Sequence, residues 1–271
     1  MGEILTFIKI AQKRKSLILM KNKQVEYEIS KSKNKIIRSF IDSPDLFFLS
    51  TLGNIDDELI YQGTKELLTG FNYNEINIRN LKDESGHTAL VCGSCDWSFH
   101  IHELSTYLPK VTKQFQRVIV LPSPYVFDEK FVKETLVKNK ALYFARDLIS
   151  YSQIKNLCSA DIAHDCSFYF DFDKYFCRGT GILNAFRTDT VSKWNALPDG
   201  NIDISTACSC LDEWLELIAK HEIIRTDRAQ VMIAAAMMGK LVEYTSSIDH
   251  QMSGIAEYAL KEFPVYQISD P

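Results

Sequence analysis

Short apolar runs alternate with segments of helical periodicity along most of the chain. Runs rich in β-branched and aromatic residues predict strands, and apolar positions three or four residues apart predict amphipathic helices. The predicted strands cover 46–50, 74–78, 89–92, 117–121, 141–145, 168–170, 182–186, 222–225 and 240–244. The predicted helices cover 56–69, 148–157, 210–221, 227–238 and 253–260. Because strands separated by helices pair in parallel through crossovers, we expect an α/β protein with parallel sheets.

The alternation occurs twice, on either side of a segment near 158–180 where aromatic and Asp-rich stretches interrupt it. We therefore expect two Rossmann-type units. Their predicted bounds are 41–160 for the first unit and 161–271 for the second. A segment covering 1–40 either packs as part of the first unit or lies at its periphery.

The composition excludes a disordered or low-complexity chain, since 46% of the 271 residues are hydrophobic and only 11 are Gly and 7 are Pro. The formal net charge of −4 argues against nucleic acid as a partner. This total hides an asymmetry, because residues 1–40 hold ten Lys and Arg against three Glu. The basic segment, in which cations interleave with apolar residues, predicts either contact with an anionic membrane surface or a solvated edge strand and linker.

No apolar stretch reaches the length that a membrane span requires, and Met1–Ile10 lacks the pattern of a secretory signal. Seven cysteines without a regular spacing are typical of reduced thiols. These features predict a cytoplasmic protein, peripheral at the inner face of the cell membrane if the basic segment binds lipid.

One cysteine pattern resembles half of a zinc site, because Cys92-Gly-Ser-Cys95 is followed by His100 and His102. Structural zinc sites need a second pair of ligands at matching spacing, and Cys208 and Cys210 are too close together to supply one. We therefore expect no metal site.

The residues that follow the predicted strands carry the candidate chemistry, because ligands of open α/β sheets bind outside the carboxyl ends of the strands. Gly53 permits a tight turn, Asn54 can cap the next helix, and Asp57 and Glu58 place carboxylates in its first turn. The same turn could line an acceptor site in which a carboxylate acts as general base toward a sugar hydroxyl. Two further turn residues, Gly93 and Ser94, follow the third strand.

Cations also follow predicted strands. Thr226, Asp227 and Arg228 open an Ala- and Met-rich helix, where Thr226 or Asp227 can cap the helix and Arg228 can bind a phosphate or carboxylate. Arg187 and Arg146 follow two other predicted strands and could face the same cleft. An alternative is that each Arg forms a local ion pair with its neighbouring Asp.

Several of these motifs, taken in order, resemble those of the polysaccharide pyruvyl transferase family, which builds bacterial surface polysaccharides. The resemblance extends over residues 45–262 and is strongest in its last motif. Its motifs are Gly53-Asn54-x-x-Asp57-Glu58-x-Ile60, Leu121-Pro122-Ser123-Pro124, Ala145-Arg146-Asp147-x-x-Ser150-Tyr151, Asp165 before an aromatic run, Phe186-Arg187-Thr188-Asp189, and Thr226-Asp227-Arg228-Ala-Gln-Val-Met-Ile-Ala-Ala-Ala-Met-Met-Gly239-Lys240.

The resemblance implies a GT-B-like architecture, with an N-terminal acceptor domain and a C-terminal donor domain that face each other across a cleft. It implies transfer of a pyruvyl group from phosphoenolpyruvate, as a ketal, to a sugar of an oligosaccharide or lipid-linked saccharide, without a metal or another cofactor. Arg228 takes the place of the family's donor-binding arginine.

The family's usual acid/base histidine corresponds to Gln230, and a lysine that commonly follows the next strand corresponds to Gln251. Glutamine cannot transfer a proton near neutral pH. His250 remains as a candidate to take over the proton transfer. The alternatives are a metal-independent glycosyltransferase with a nucleotide-sugar donor, and a family member that binds without catalysis.

Overall fold

The computed structural model describes residues 23–51, 53–93, 103–126, 130–189, 192, 194, 196–246 and 250–269. The described strands are β1 (Leu46–Ser50), β2 (Asn74–Asn77), β3 (Gly86–Val91), β4 (Phe115–Ser123), β5 (Leu142–Ala145), β6 (Ser159–Ile162), β7 (Ile182–Ala185), β8 (Ile223–Thr226), β9 (Leu241–Tyr244) and β10 (Val265–Gln267). The described helices are α1 (23–38), α2 (Ile55–Leu67), α3 (Glu103–Gln114), α4 (Lys130–Lys138), α5 (Leu148–Ile154), α6 (Ile204–Ala207), α7 (Leu211–Ala219), α8 (Ala229–Met237) and α9 (Gln251–Tyr258).

The strands form two parallel sheets, which confirms the predicted α/β class and its Rossmann-like character. The first sheet has the order β2-β1-β3-β4-β5-β6, and the second has the order β10-β9-β8-β7. In the first sheet the strand order reverses between β1 and β3. Ligands of open parallel sheets bind at such a reversal, outside the carboxyl ends of the two strands. The turn at Gly53 and Asn54 and the turn at Gly93 lie at this point.

The predicted strand at 168–170 is wrong, because the aromatic run begins with a 3-10 helix, Cys166–Tyr169. The Asp165 side chain accepts the Ser167 N–H at 2.9 Å and starts this turn. The run is buried against α2, so its apolar character reflects helix packing. In the first sheet, the hydrophobic pattern did not predict β6, because this strand is polar and only partly buried. The prediction also missed α1, α3, α4, the short α6 and β10.

Helix α8 joins the two sheets into one hydrophobic core. It is apolar around its whole circumference, and residues 230–236 are all buried. It packs against α2, which belongs to the first unit, and against the 3-10 helix that follows Asp165. Its small side chains therefore allow close helix packing.

Part of the basic segment is a helix that packs on the first unit. Ile36 and Phe40 are buried in the core, and Lys35 forms an ion pair with Asp161 at 2.8 Å. A solvated edge strand is therefore wrong for the part of this segment that follows residue 22, since its apolar positions have helical spacing. Residues 1–22 lie outside the described part of the chain. None of the described helices has the length and apolar character needed to cross a membrane.

Candidate functional site

The turn after β1 is built as a helix cap. Asn54 Oδ1 accepts the N–H groups of Asp56 and Asp57 at 3.0 and 3.3 Å, and Asp57 Oδ2 accepts the Asn54 N–H at 3.1 Å. A Cβ on residue 53 would overlap the Asp57 carboxylate, so a side chain there would displace Asp57 from this cap. The structure thus uses both predicted acceptor-site residues, Asn54 and Asp57, in a reciprocal capping box.

Glu58 and Gly93 are the other predicted acceptor residues that the structure describes. Glu58 accepts a hydrogen bond from Gln62 at 2.7 Å, one turn further along α2. A side chain on Gly93 would collide with the Pro122 carbonyl, so the chain after β3 runs tightly against β4. Ser94 lies outside the described residues, as do Cys95, His100 and His102. Burial, followed by the negative charges of Asp57 and Asp165, raises the pKa of Cys92 to about 12, so this thiol stays protonated at neutral pH.

A second group of polar side chains assembles around Asp165, between the two sheets. Arg146, directly after β5, has only 1% of its surface exposed. Its Nη1 donates to Asp165 Oδ2 at 2.9 Å and its Nη2 donates to Gln251 Oε1 at 2.6 Å. Gln230 Nε2 also points to Asp165 Oδ2, at 3.5 Å. Gln230 and Gln251 occupy the positions at which the resemblance to pyruvyl transferases implies a histidine and a lysine. Both therefore meet at the Arg146–Asp165 pair.

A third group surrounds Arg228, which is 5% exposed. Its guanidinium contacts Asp56 at 3.0 Å, Asp203 at 2.8 Å and Asp189 at 3.3 Å. Asp56 lies in the first turn of α2, so this contact links the carboxyl edge of the first sheet to that of the second. Ser205 Oγ donates to Asp56 at 2.5 Å.

The three carboxylates around Arg228 are not equivalent. Burial raises the pKa of Asp56 above its usual value, and the attraction of Arg228 does not offset this effect. Burial also acts to raise the pKa of Asp203, but hydrogen bonds from Thr188 and Arg228 outweigh it and the pKa falls below its usual value. Asp56 is thus held in its charged form less favourably than Asp203.

The start of α8 differs from the prediction. Thr226 Oγ1 donates to the Ala185 carbonyl and accepts the Arg228 N–H, and Asp227 Oδ1 accepts the Arg187 N–H at 2.9 Å. The expected capping of α8 by Thr226 or Asp227 is therefore wrong: both side chains tie β8 to β7 instead. Arg228 is the N-cap residue, and within the described residues no side chain caps the helix. The Nε of Arg228 is buried there without a hydrogen-bond partner among the described residues.

Arg187 and Asp189 form a more open part of the same group. The Arg187 guanidinium contacts Asp189 at 3.1 Å and retains 23% side-chain exposure. Asp189 contacts Arg228 as well. Two of the three predicted donor-site cations, Arg187 and Arg228, are therefore neighbours that share one carboxylate.

His250 lies beside a buried pair that sequence analysis did not connect with it. Its Nε2 is 3.1 Å from Ser150 Oγ and 3.6 Å from Asp147 Oδ1. Ser150 Oγ donates to Asp147 Oδ2 at 2.7 Å and accepts the Tyr125 N–H at 3.0 Å. An imidazole in contact with a hydroxyl that a buried carboxylate orients is a candidate for proton transfer. The signal was present in the sequence, since Asp147 and Ser150 belong to the same motif as Arg146.

Comparisons with known proteins bear on the fold. No family model matches the chain, and no curated protein matches it. A solved structure of a functionally uncharacterized protein from Klebsiella pneumoniae is similar over 89% of this chain and 98% of that one, with 21% sequence identity and a TM-score of 0.74. This likeness shows a shared fold.

Proposed function

We propose that the protein is a transferase that binds an anionic donor where the carboxyl edges of its two sheets meet. Arg146 follows a strand of the first sheet and Arg228 follows a strand of the second, and both belong to this buried polar junction. The observation that carries the proposal is the start of α8. Among the described residues, no side chain caps its first N–H groups, and Nε of the N-cap residue Arg228 has no hydrogen-bond partner. Free N–H groups at a helix start, together with a guanidinium, suit a phosphate or carboxylate.

The resemblance to polysaccharide pyruvyl transferases supplies the substrate class. The donor in this proposal is phosphoenolpyruvate, and the acceptor is a sugar of an oligosaccharide or a lipid-linked saccharide of the bacterial surface. The two units then correspond to a GT-B-type pair of domains around a cleft. The setting is the cytoplasmic face of the membrane, which the basic residues of segment 1–40 can contact.

Ketal formation joins C2 of phosphoenolpyruvate to two hydroxyl oxygens of the sugar and breaks its bond to the phosphate group, which leaves with one of the two hydroxyl protons. The step also requires a proton for the donor's methylene carbon and a base for the other hydroxyl. The amide side chains of Gln230 and Gln251 can act neither as the proton donor nor as the base. His250, backed by Asp147, is the side chain proposed to transfer the proton, and Asp57 is the carboxylate proposed to receive the proton of the hydroxyl. Loss of a general acid or base typically lowers a rate about 10²–10⁴-fold.

A second candidate is a metal-independent glycosyltransferase with a nucleotide-sugar donor. It is favoured by the pairing of Gln230 and Gln251 at the Arg146–Asp165 ion pair, since neither amide titrates. A third candidate, a protein that binds without catalysis, is favoured by the three carboxylates that already surround Arg228.

Calorimetric titration separates these functions. Binding of phosphoenolpyruvate, without binding of nucleoside diphosphate sugars, supports the pyruvyl transferase; the reverse pattern supports the glycosyltransferase, and no binding of either supports the third candidate. Arg228→Gln is expected to abolish donor binding. Arg225→Gln is the matched control, because Arg225 lies on β8 three residues before Arg228 but pairs with Glu243 at 2.6 Å across the sheet.

A further inference from the structure

A buried lysine lies at the opposite edge of the second sheet from the candidate site. Lys240 precedes β9 and is only 1% exposed. Its Nζ donates to the backbone carbonyls of Cys177 and Ala219, both at 2.6 Å. Two fixed acceptors hold the amine in one place, although a lysine stem is flexible elsewhere.

The same amine faces a thiol. Cys177 Sγ lies 4.0 Å from Lys240 Nζ and donates to the Ala219 carbonyl at 3.0 Å, so the two side chains share one acceptor. Cys177 is an exposed residue in the segment that leads into β7. A small oxidant can therefore reach the thiol from solvent, while the amine lies on its buried side.

We propose that Lys240 and Cys177 form a peroxide-responsive covalent crosslink, a sulfenamide between Nζ and Sγ. Hydrogen peroxide is the oxidant: Sγ attacks one peroxide oxygen, the O–O bond breaks, and the thiol becomes a sulfenic acid with release of one water. The Nζ lone pair then attacks Sγ and the S–O bond breaks. The departing hydroxide takes a proton from Nζ, so a second water leaves and one S–N bond remains.

The surroundings of Lys240 favour the second step. Attack requires the neutral amine, and burial lowers the pKa of Lys240 below its usual value. An excess of a dithiol reverses the crosslink, because it restores the Cys177 thiol and the Lys240 amine while the dithiol becomes a disulfide.

Cys210 is the matched control within the chain. It is also an exposed free cysteine, but it precedes α7 and has no lysine contact among the described residues. Cys92 and Cys166 are buried, and burial raises the pKa of both thiols. Oxidation of these thiols is therefore slower.

Peptide mapping by mass spectrometry of the folded full chain, after brief treatment with hydrogen peroxide, tests the proposal. We expect the peptides that hold Cys177 and Lys240 to be joined, with a mass about 2 Da below their sum, and to separate after dithiothreitol. The joined species should persist in Cys210→Ser and disappear in Cys177→Ser and in wild-type protein oxidised in urea.

Lys240→Arg keeps the charge and donors but removes the nucleophilic amine, so it should also lose the joined species. If Lys240→Arg fails to fold, the peptide maps of the wild type and of Cys177→Ser still test the proposal. Separate peptides with Cys177 oxidised to sulfinic acid would overturn the proposal. A joined species about 14 Da above the sum would overturn the sulfenamide, since it indicates that one oxygen remains between nitrogen and sulfur.

Discussion

Arg228 Nη1 lies 3.0 Å from Asp56 Oδ2, and this buried ion pair joins the start of α8 to the start of α2. Because α2 follows the first strand of one sheet and α8 follows the second strand of the other, the pair connects the two carboxyl edges. An anionic donor at the start of α8 would compete with Asp56 for the same guanidinium. Binding of the proposed donor would thereby be coupled to the contact between the two units.

Arg228→Gln should destabilise the protein much more than Asp56→Asn. Loss of the guanidinium leaves the buried Asp56 and Asp203 without the cation that both contact, which costs about 3–5 kcal/mol for a buried pair. Asp56→Asn removes one carboxylate from an acid-rich group and keeps an oxygen for Ser205, so we expect a loss below about 1.5 kcal/mol. Urea denaturation measures both values. Equal losses would contradict the assignment of Arg228 as the central cation.

The charge at residue 251 should change the stability of the protein, because this residue contacts Arg146. Gln251→Lys removes the acceptor at 2.6 Å from Arg146 Nη2 and adds a second cation there, so we expect a loss of about 1–3 kcal/mol. Gln251→Glu keeps the acceptor and adds a charge opposite to that of Arg146. Its stability should therefore stay within about 1 kcal/mol of the wild type. If Gln251→Glu loses more stability than Gln251→Lys, the contact between Arg146 and residue 251 does not form.

His164 predicts a pH dependence of stability. The imidazole is buried against Phe168 and Tyr258, and burial lowers its pKa from 6.5 to about 4. The contribution of the neutral His164 to the free energy of unfolding is complete above pH 6.5. As the pH falls toward 4, the unfolded chain takes up a proton that the folded chain does not, so up to about 3 kcal/mol is lost.

His164→Phe should remove this part of the pH dependence, because phenylalanine fills the site without titrating. His221→Gln is the control, since His221 is only partly buried and bonds the Leu217 carbonyl. Thermal melts between pH 4 and pH 7 compare the three proteins. An unchanged slope in His164→Phe would show that His164 is not the group responsible.

Gly63 should tolerate no side chain. A Cβ on this residue would collide with the backbone of Cys166 and Ser167, where α2 packs on the 3-10 helix. Gly63→Ala is therefore expected to cost about 1–3 kcal/mol through overpacking, although alanine favours a helix. Gln62→Ala, on the same helix, loses only a side-chain bond to Glu58 and should change stability by less than about 1 kcal/mol. A stabilising Gly63→Ala would contradict the close packing.

The pattern of the chain predicts much of the fold and less of the site. The strands at 46–50 and 117–121 were recognisable because buried parallel strands are nearly continuous apolar runs. β6 was missed because its sequence, Ser-Ala-Asp-Ile, is that of a half-exposed edge strand. The strand assigned to 168–170 failed because aromatic residues suit a buried 3-10 helix equally well.

The site depended on contacts between residues far apart in sequence. Residues after strands could be chosen from the pattern alone, and Arg146, Arg187 and Arg228 do lie at strand ends. Periodicity carries no information about which of them meet, so the contacts of Arg228 with Asp56 and of His250 with Ser150 were not predicted. Both contacts join residues that are at least 100 positions apart.

The most direct test of the central claim is a crystal structure of the protein with phosphoenolpyruvate. The account predicts electron density for the phosphate or carboxylate at the start of α8, in contact with Arg228, with Asp56 displaced from its present 3.0 Å contact. Density at another site, with the Arg228–Asp56 pair intact at saturating ligand, would contradict it.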